Sequence, residues 1–245
     1  MLTLESVVSE VYHLLLKAVD FYKCPATSTF SQCYAQFDAL SIAIAILIFF
    51  IVYSFVWSIV GNNCSKVDQI WSITPVVFVW HFLLHYSATH NGDLHTRLYA
   101  LTILVTLWGV RLTYNFWRKG GYGDLITHEE DYRWPILRKK MNPVLFFIFN
   151  LTFIATYQNV LLFLIASPAY IVMQGPTDFN CHDTLLIGLF LVLLLIESVA
   201  DEQHFRFQTY KHSLTQEQRE AHPVGSDIRN GFYTEGNAIS YTVDN

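Results

Sequence analysis

Long apolar runs alternate with short polar segments along this chain, and the length of the runs predicts a membrane protein. Residues 39–60, ALSIAIAILIFFIVYSFVWSIV, contain no charged side chain. A helix that crosses a bilayer needs about 20 such residues, so this run predicts a membrane-spanning helix. Four further apolar runs follow at residues 70–86, 98–117, 143–167 and 185–200. The pattern therefore predicts an all-α, multi-span transmembrane helical bundle of about five spans, without an internal repeat.

Composition supports this class. Apolar residues make up 53% of the 245 residues and charged residues 14%, against about 25% charged residues in soluble domains. The net charge is −5, and no basic patch carries spaced aromatic residues, which argues against nucleic-acid binding. The four cysteines form no CxxC pair, so no metal site is predicted.

The charge distribution predicts the topology and the domain limits. Residues 118–140 hold six of the fifteen Lys and Arg, whereas residues 168–184 hold none. By the positive-inside rule the first segment faces the cytosol and the second faces the opposite side, where cysteines can form a disulfide. The predicted domains are 1–38 (an N-terminal segment with an amphipathic helix), 39–200 (the transmembrane domain) and 201–245 (a cytosolic tail).

A polar stripe ends the third run. Arg111, Asn115 and Arg118 are spaced i, i+4, i+7 and therefore share one face of a helix. A charge at the centre of a membrane helix costs at least ~2.5–3.5 kcal/mol, so such a residue suggests a function. The stripe suits either lipid headgroups or a phosphorylated cofactor, and physical chemistry alone favours neither; Arg118 by itself can be an interfacial anchor.

The loop after the stripe carries glycines and then both signs of charge. Gly120 and Gly121 permit close backbone approach, but no strand–loop–helix setting supports a phosphate loop. Glu130, Asp131 and Arg133 form either a solvated loop with local ion pairs or a set of carboxylates that orient arginines and bind ribose hydroxyls.

Three further groups of polar residues interrupt the apolar runs. Asp68 is either a helix N-cap or, with Trp71 and Ser72, part of a cavity wall. Tyr157, Gln158 and Asn159 lie in the middle of the fourth span, where they either pack helices together or line a cavity, and a tyrosine there can donate a proton. Glu197 lies inside the fifth apolar run, with Asp201, Gln203 and Arg206 beyond it. His81 and His85 form an HxxxH pair, which we interpret as hydrogen-bonded rather than metal-binding.

Taken in order, these motifs resemble the steroid 5-alpha-reductase-like membrane family, including its domain of unknown function 1295 branch. The matching motifs are DQIWS (68–72), RLTYNFWRKGG (111–121), EEDYRW (129–134), Gln158 with Ser167-Pro168, and ADEQHFRF (200–207). The resemblance covers roughly residues 39–233. It implies a multi-pass protein of the endoplasmic reticulum that uses NADPH to reduce a carbon–carbon double bond conjugated to a carbonyl in a lipid- or steroid-like molecule.

The resemblance also implies roles for residues at matching positions. Cofactor contacts fall to Arg111, Asn115, Arg118, Glu130, Asp131, Arg133, Asp201, Gln203 and Arg206, and substrate contacts to Asp68, Trp71, Ser72 and Gln158. Arginines suit the phosphates of NADPH because their planar donors bind phosphate oxygens in pairs. Tyr157 is predicted as a catalytic proton donor on physical grounds alone, and Glu197 is predicted as a second catalytic residue.

The chain departs from the family near its C-terminus. Family members continue after a segment like GFYTEG with a Ser-Arg-His-Pro-Asn motif that is thought to complete the cofactor site, whereas here residues 231–236 are followed by NAISYTVDN. We therefore expect a truncated product that can be inactive. Two other functions stay open: a non-catalytic membrane protein that binds lipids or acts as a scaffold, and a lipid methyltransferase that uses S-adenosylmethionine.

Overall fold

A computed structural model describes residues 30–122, 130–131 and 133–221, together with Ser9, Tyr12, His13 and Leu16. Every regular element in these ranges is a helix, which confirms the predicted all-α fold. The predicted N-terminal helix lies mostly outside the described residues. The GFYTEG segment and the residues after it lie wholly outside them.

The structure consists of two compact units, Met1–Thr184 and Leu185–Asn245. The helices of the first unit are α1 (Phe30–Gln36), α2 (Ala39–Val60), α3 (Lys66–Ile70), α4 (Thr74–Thr89), α5 (Thr96–Arg118), α6 (Arg133–Lys140), α7 (Pro143–Phe149), a π-helix (Asn150–Tyr157), α8 (Gln158–Ala166) and α9 (Pro168–Met173). Helix α10 (Cys181–Ser213) begins at the end of the first unit and continues through the second, which also contains α11 (Gln216–Ala221). The predicted boundary near Asp201 falls inside α10.

Three helices of the described chain are long and apolar enough to cross a membrane: Ala39–Val60, Pro143–Met173 and Cys181–Ser213. They contain three of the five predicted spans. The other two predicted spans coincide with α4 and α5. Helix α4 has 16 residues, about 24 Å at 1.5 Å per residue, which is shorter than the roughly 30 Å hydrocarbon core. The count of five spans therefore stays a prediction.

The second predicted span is helical from its fifth residue onward. Ile70 ends α3 and α4 begins at Thr74, with residues 71–73 forming a helical turn in which the Ile73 N–H donates to the Ile70 carbonyl at 3.0 Å. Pro75 explains the new start, because proline fits the first turn of a helix, where its missing N–H is not needed. The residues predicted to form a cavity wall, Asp68, Trp71 and Ser72, are thus spread over α3 and the turn that follows it.

Helix α4 forms the centre of the first unit. It packs against α2, α5, α8 and α9, and its Phe78, Val79 and Phe82 are buried. His81 and His85 turn toward the chain that precedes α2. Their Nε2 atoms lie 2.8 Å from the carbonyl oxygens of Ala39 and Phe37, so both rings donate there. The interpretation of these histidines as hydrogen-bonded side chains is confirmed.

The fourth span contains a wide turn that the sequence pattern did not predict. Its middle, Asn150–Tyr157, is a π-helix, a form often found at functional sites. Two buried asparagines, one in the π-helix and one in α8, form hydrogen bonds with α2. Asn150 Nδ2 donates to Ser58 Oγ at 2.7 Å, and Asn159 Nδ2 donates to Ser54 Oγ at 3.1 Å. Asn159 therefore packs helices together, one of its two predicted roles.

Candidate functional site

A polar junction lies where α2, α4 and α5 come together at one end of the first unit. We define it as residues 61–73, which are α3 and the turns on either side. On one side it contacts the end of α5. Ser72 Oγ lies 2.7 Å from Thr113 Oγ1, Gln69 Nε2 donates to the Gly121 carbonyl at 3.3 Å, and the Tyr122 hydroxyl donates to the Gln69 carbonyl at 2.8 Å. These bonds fix α3 beside the last turns of α5.

Glycine at position 109 allows this contact. A Cβ atom at Gly109 would lie 2.5 Å from Val76 Cγ2 and 2.8 Å from the Ser72 carbonyl oxygen. Because the oxygen belongs to the backbone, it cannot rotate away. Gly109 therefore sets the distance between α5 and the junction, directly before the polar stripe begins.

On its other side the junction is held by a carboxylate clamp. The Cys64 backbone N–H donates to Glu130 Oε1 at 2.7 Å, and Arg138 donates to both Glu130 oxygens at 2.7 and 3.0 Å. The Asp131 N–H donates to Ser65 Oγ at 3.0 Å. Glu130, predicted as a cofactor contact, accepts three hydrogen bonds within the protein, and these bonds position Arg138 and the turn at Cys64.

Asp131 forms a local ion pair. Arg133 donates to Asp131 through Nε at 2.8 Å and through one terminal nitrogen at 2.9 Å. The Arg133 side chain is 60% exposed and the Asp131 side chain 27% exposed. This geometry matches the predicted arrangement of local ion pairs, and it leaves the guanidinium accessible.

Two charged residues of α3 carry the cost of burial. Burial raises the pKa of Asp68, and the charge of Asp131 adds to the effect, while Ser65, Arg133 and Trp134 oppose it. Lys66 is 1% exposed, and burial lowers the pKa of its amine. Asp68 is the third residue of α3 and Ser65 is the N-cap, so the predicted N-cap role for Asp68 is wrong by one turn.

The predicted stripe lies on the last two turns of α5. Asn115 is buried at 8% exposure, Arg111 and Arg118 are half-buried, and the Arg118 guanidinium lies 5.4 Å from the centre of the Tyr114 ring. Through the Thr113 and Gly121 contacts, this helix end is joined to the junction. The structure therefore brings the end of α5, which carries the stripe, together with Asp68, Glu130, Asp131 and Arg133 at one end of the first unit.

The glycines after the stripe end the helix. Gly120 has φ +81°, and its N–H donates to the Trp117 carbonyl at 2.9 Å, while the Gly121 N–H donates to the Phe116 carbonyl at 3.0 Å. This is a Schellman motif, in which two amides satisfy carbonyls at the end of a helix. Since both N–H groups are used, these glycines do not offer a phosphate cradle.

The predicted substrate and catalytic residues of the first unit contact different parts of the structure. Trp71 Nε1 donates to Gln158 Oε1 at 3.3 Å, which unites two of them, whereas Ser72 turns to α5. Tyr157 is half exposed, and its ring stacks on Phe153 with the centres 5.3 Å apart. Its hydroxyl is therefore on the outer surface of the π-helix rather than beside Ser72.

The remaining predicted residues belong to α10 in the second unit. Glu197 is exposed, and Arg206 Nε donates to Glu202 Oε1 at 2.8 Å in an exposed i, i+4 pair. Asp201 and Gln203 are half-buried on the same helix.

Sequence reasoning missed three junction residues and two residues outside the junction. The first three are Cys64, Lys66 and Gln69, and the other two are Arg138, which pairs with Glu130, and the buried Asn150. Arg138 belongs to a basic run, Arg138–Lys140, that the sequence analysis used only to predict topology. Its ion pair with Glu130, eight residues earlier, does not follow from any helical spacing. Lys66 was the only one with a visible signal, because a lysine that opens an apolar helix invites a check of its burial. Among the described residues, no group of three His, Cys, Asp or Glu side chains could hold a metal ion.

Three helices of membrane length in the described part of the chain define a helical membrane protein. Residues 54–233 match the family model described as "Protein of unknown function (DUF1295)", so the chain belongs to that family. The chain is 36% identical over 168 residues to the uncharacterized protein C594.04c of the fission yeast Schizosaccharomyces pombe. That match covers 67% of this chain and 47% of the yeast protein, so the chain spans about half the length of this curated relative. No solved structure matches the chain.

Proposed function

We propose that this protein is a membrane oxidoreductase that reduces a carbon–carbon double bond, conjugated to a carbonyl, in a lipid- or steroid-like substrate with NADPH. The observation that supports the proposal is the contact between the polar junction and the end of α5, the helix that carries Arg111, Asn115 and Arg118. The ordered motifs that resemble the steroid 5-alpha-reductase-like family support it further. The endoplasmic reticulum is the compartment we propose.

The donors and acceptors at this end fit the cofactor. Arg111, Arg118 and the accessible Arg133 supply guanidinium groups for a pyrophosphate and a 2′-phosphate, and Asn115 supplies an amide. Asp131 supplies carboxylate oxygens that can accept from ribose hydroxyls, whereas Asp68 is proposed as a substrate contact. In the second unit, Asp201, Gln203 and Arg206 are the further cofactor residues that we propose. NADPH, when bound, would supply a hydride to the β-carbon of the enone.

The protein's own task in the reaction is to hold the substrate carbonyl and to deliver a proton to the α-carbon. Trp71 and Gln158, joined by their hydrogen bond, are proposed as the substrate wall with Ser72. Tyr157 is proposed as the proton donor, and its half-exposed position suits a molecule that arrives from the lipid. Glu197 is the second catalytic residue that we propose.

The test is NADPH binding by the full chain in lipid nanodiscs, followed by turnover of a panel of enone lipids. Arg111→Gln should weaken NADPH binding at least about tenfold, since a charge-assisted hydrogen bond contributes roughly 1.5–3 kcal/mol. Arg97→Gln is the matched control, because Arg97 pairs with Asp183 at 2.8 Å at the opposite end of α5. Equal affinity in the two variants, or no binding by the wild-type chain, would overturn the proposal.

A non-catalytic, lipid-binding protein is the second candidate. It is favoured by the carboxylate clamp, because Glu130 and Arg138 satisfy one another without a ligand. In this case Arg111→Gln would change the retention of anionic lipids by the protein, and neither the wild type nor the variant would bind NADPH. Displacement of bound NADPH by S-adenosylmethionine would instead favour the methyltransferase.

A further inference from the structure

A cavity of about 370 Å³ lies between the end of α2 and the start of α7. One part of its wall is polar and contains Arg138 and Asn62, and another part is apolar and contains Ile59 and Phe147. Because α2 ends at Val60 and α7 begins at Pro143, the cavity lies at the predicted cytosolic boundary of the membrane.

Asn150 lines this cavity, and its amide has a fixed orientation. Ser58 Oγ donates its one proton to the Phe55 carbonyl at 2.7 Å, so this oxygen can only accept from Asn150. The Asn150 amide nitrogen therefore faces Ser58, and the amide oxygen faces elsewhere. Asn150 is 5% exposed, and among the described residues its Oδ1 atom has no hydrogen-bond donor.

A buried acceptor without a donor costs about 1–3 kcal/mol, which a ligand with a donor would recover. Asn150 follows Pro143 by seven residues and so lies about 10 Å deeper along the helix. Arg138, held by Glu130, lines the cavity at the shallower level. The cavity wall thus carries a donor near the headgroup level and, beneath it, a residue whose buried amide oxygen lacks a donor.

Membrane lipids differ in what they offer at this depth. A glycerol diester has only carbonyl oxygens there, and these cannot donate to Asn150. A lipid with a free hydroxyl or an amide N–H at its polar end supplies the missing donor. Its apolar chain would lie along Ile59 and Phe147, which are about half exposed.

We propose that this cavity binds a membrane lipid through a hydroxyl or amide N–H that donates to Asn150 Oδ1. Two sources share this chemistry: the amide and hydroxyl of a ceramide, and the free hydroxyl of a diacylglycerol. The site uses Arg138, Asn150 and Ser58, none of which belongs to the proposed reductase chemistry, so the two proposals stand or fall separately.

The experiment uses the full chain in dioleoylphosphatidylcholine nanodiscs that contain a photoactivatable ceramide, diacylglycerol or phosphatidylcholine. After irradiation, the labelled peptides are mapped by mass spectrometry. We expect the ceramide or the diacylglycerol probe to label the ends of α2 and α7 more than the phosphatidylcholine probe does, and the stronger of the two identifies the source.

Two variants test the role of the acceptor. Asn150→Leu should lower this labelling about three- to tenfold, the range of one hydrogen bond inside a membrane. Asn159→Leu is the matched control, because it removes the equivalent bond to Ser54 without touching the cavity, and its labelling should equal that of the wild type.

Two further variants keep the test independent of folding. Ser54→Ala removes a bond to α2 outside the cavity and should keep the labelling, whereas Ile59→Trp fills the cavity and should remove it. Equal labelling by all three probes, or an unchanged signal in both Asn150→Leu and Ile59→Trp, would overturn the proposal and would indicate that water satisfies Asn150.

Discussion

The Glu130 carboxylate accepts hydrogen bonds from both terminal nitrogens of Arg138 and from the backbone N–H of Cys64. Three separate stretches of chain thereby meet on one side chain that is only 12% exposed. Glu130→Gln should lower the free energy of unfolding by about 1–3 kcal/mol, because it leaves the Arg138 charge without its counter-charge. Unfolding in mixed detergent micelles measures this loss.

The control for this prediction is Glu202→Gln. Glu202 pairs with Arg206 in an exposed i, i+4 geometry, with side chains 44% and 74% exposed. Its loss should change stability by less than about 0.5 kcal/mol. In the clamp, the double variant Glu130→Gln/Arg138→Gln should lose less free energy of unfolding than the two single variants lose together, by at least about 0.5 kcal/mol. Strict additivity would mean that the two side chains do not act as a pair.

Gly109→Ala tests the close approach of α5 to the junction. The added methyl would meet the Ser72 carbonyl oxygen at 2.8 Å, so α5 must move, at a cost of about 1–3 kcal/mol. We expect lower stability and, because the stripe moves with α5, weaker NADPH binding.

Gly188→Ala is the matched substitution for Gly109→Ala. A Cβ at Gly188 meets nothing within 4 Å, and alanine favours helix, so stability should stay constant or rise by up to about 1 kcal/mol. If Gly109→Ala behaved like Gly188→Ala, the packing of α5 on the junction would be wrong.

Local patterns in the sequence predicted the helices and the stripe. Residues 39–60 carry no charge, so their helix follows from hydropathy alone, and the spacing of Arg111 and Asn115 requires one helix face. Contacts between distant residues were not predictable in this way. Cys64 and Glu130 are 66 residues apart, and Asn150 and Ser58 are 92 apart, so no periodicity relates them. The π-helix was also missed, because its extra residue per turn has no compositional signature.

The pKa of Asp68 leads to a pH-dependent prediction. Burial raises this pKa above the ordinary value of 3.8, so the ionised carboxylate destabilises the fold at neutral pH, and this penalty vanishes below the unfolded value. Asp68→Asn should therefore raise the melting temperature at pH 7 and leave it unchanged near pH 3.5. If Asp68 also contacts the substrate, the same variant should raise the KM for an enone lipid while its stability at pH 7 rises, which would separate function from stability.

The contribution of Asp131 to stability should have the opposite pH dependence. The Arg133 hydrogen bonds lower its pKa below 3.8, so its contribution is present at neutral pH and is lost as the pH falls through the folded value. Asp131→Asn should lower stability at pH 7, by no more than about 1 kcal/mol for such an accessible pair, and have no effect at low pH. A melting curve in which both variants shift in the same direction at pH 7 would contradict these assignments.

The two free cysteines of the described chain test both the chemistry of the junction and the predicted topology. Cys64 is 2% exposed, and burial raises the pKa of its thiol to about 11 despite the neighbouring Arg138, whereas Cys181 is exposed. Since only a thiolate reacts, a maleimide should modify Cys181 at pH 7.5 at least roughly a hundredfold faster than Cys64.

Cys33 is disulfide-bonded and should not react without a reductant, in keeping with a non-cytosolic position. In sealed microsomes, a membrane-impermeant maleimide should label Cys181 only after permeabilisation, because the predicted topology places residues 168–184 on the non-cytosolic side. Labelling of Cys181 in intact vesicles would invert the orientation, and fast labelling of Cys64 would show that the carboxylate clamp opens in the membrane.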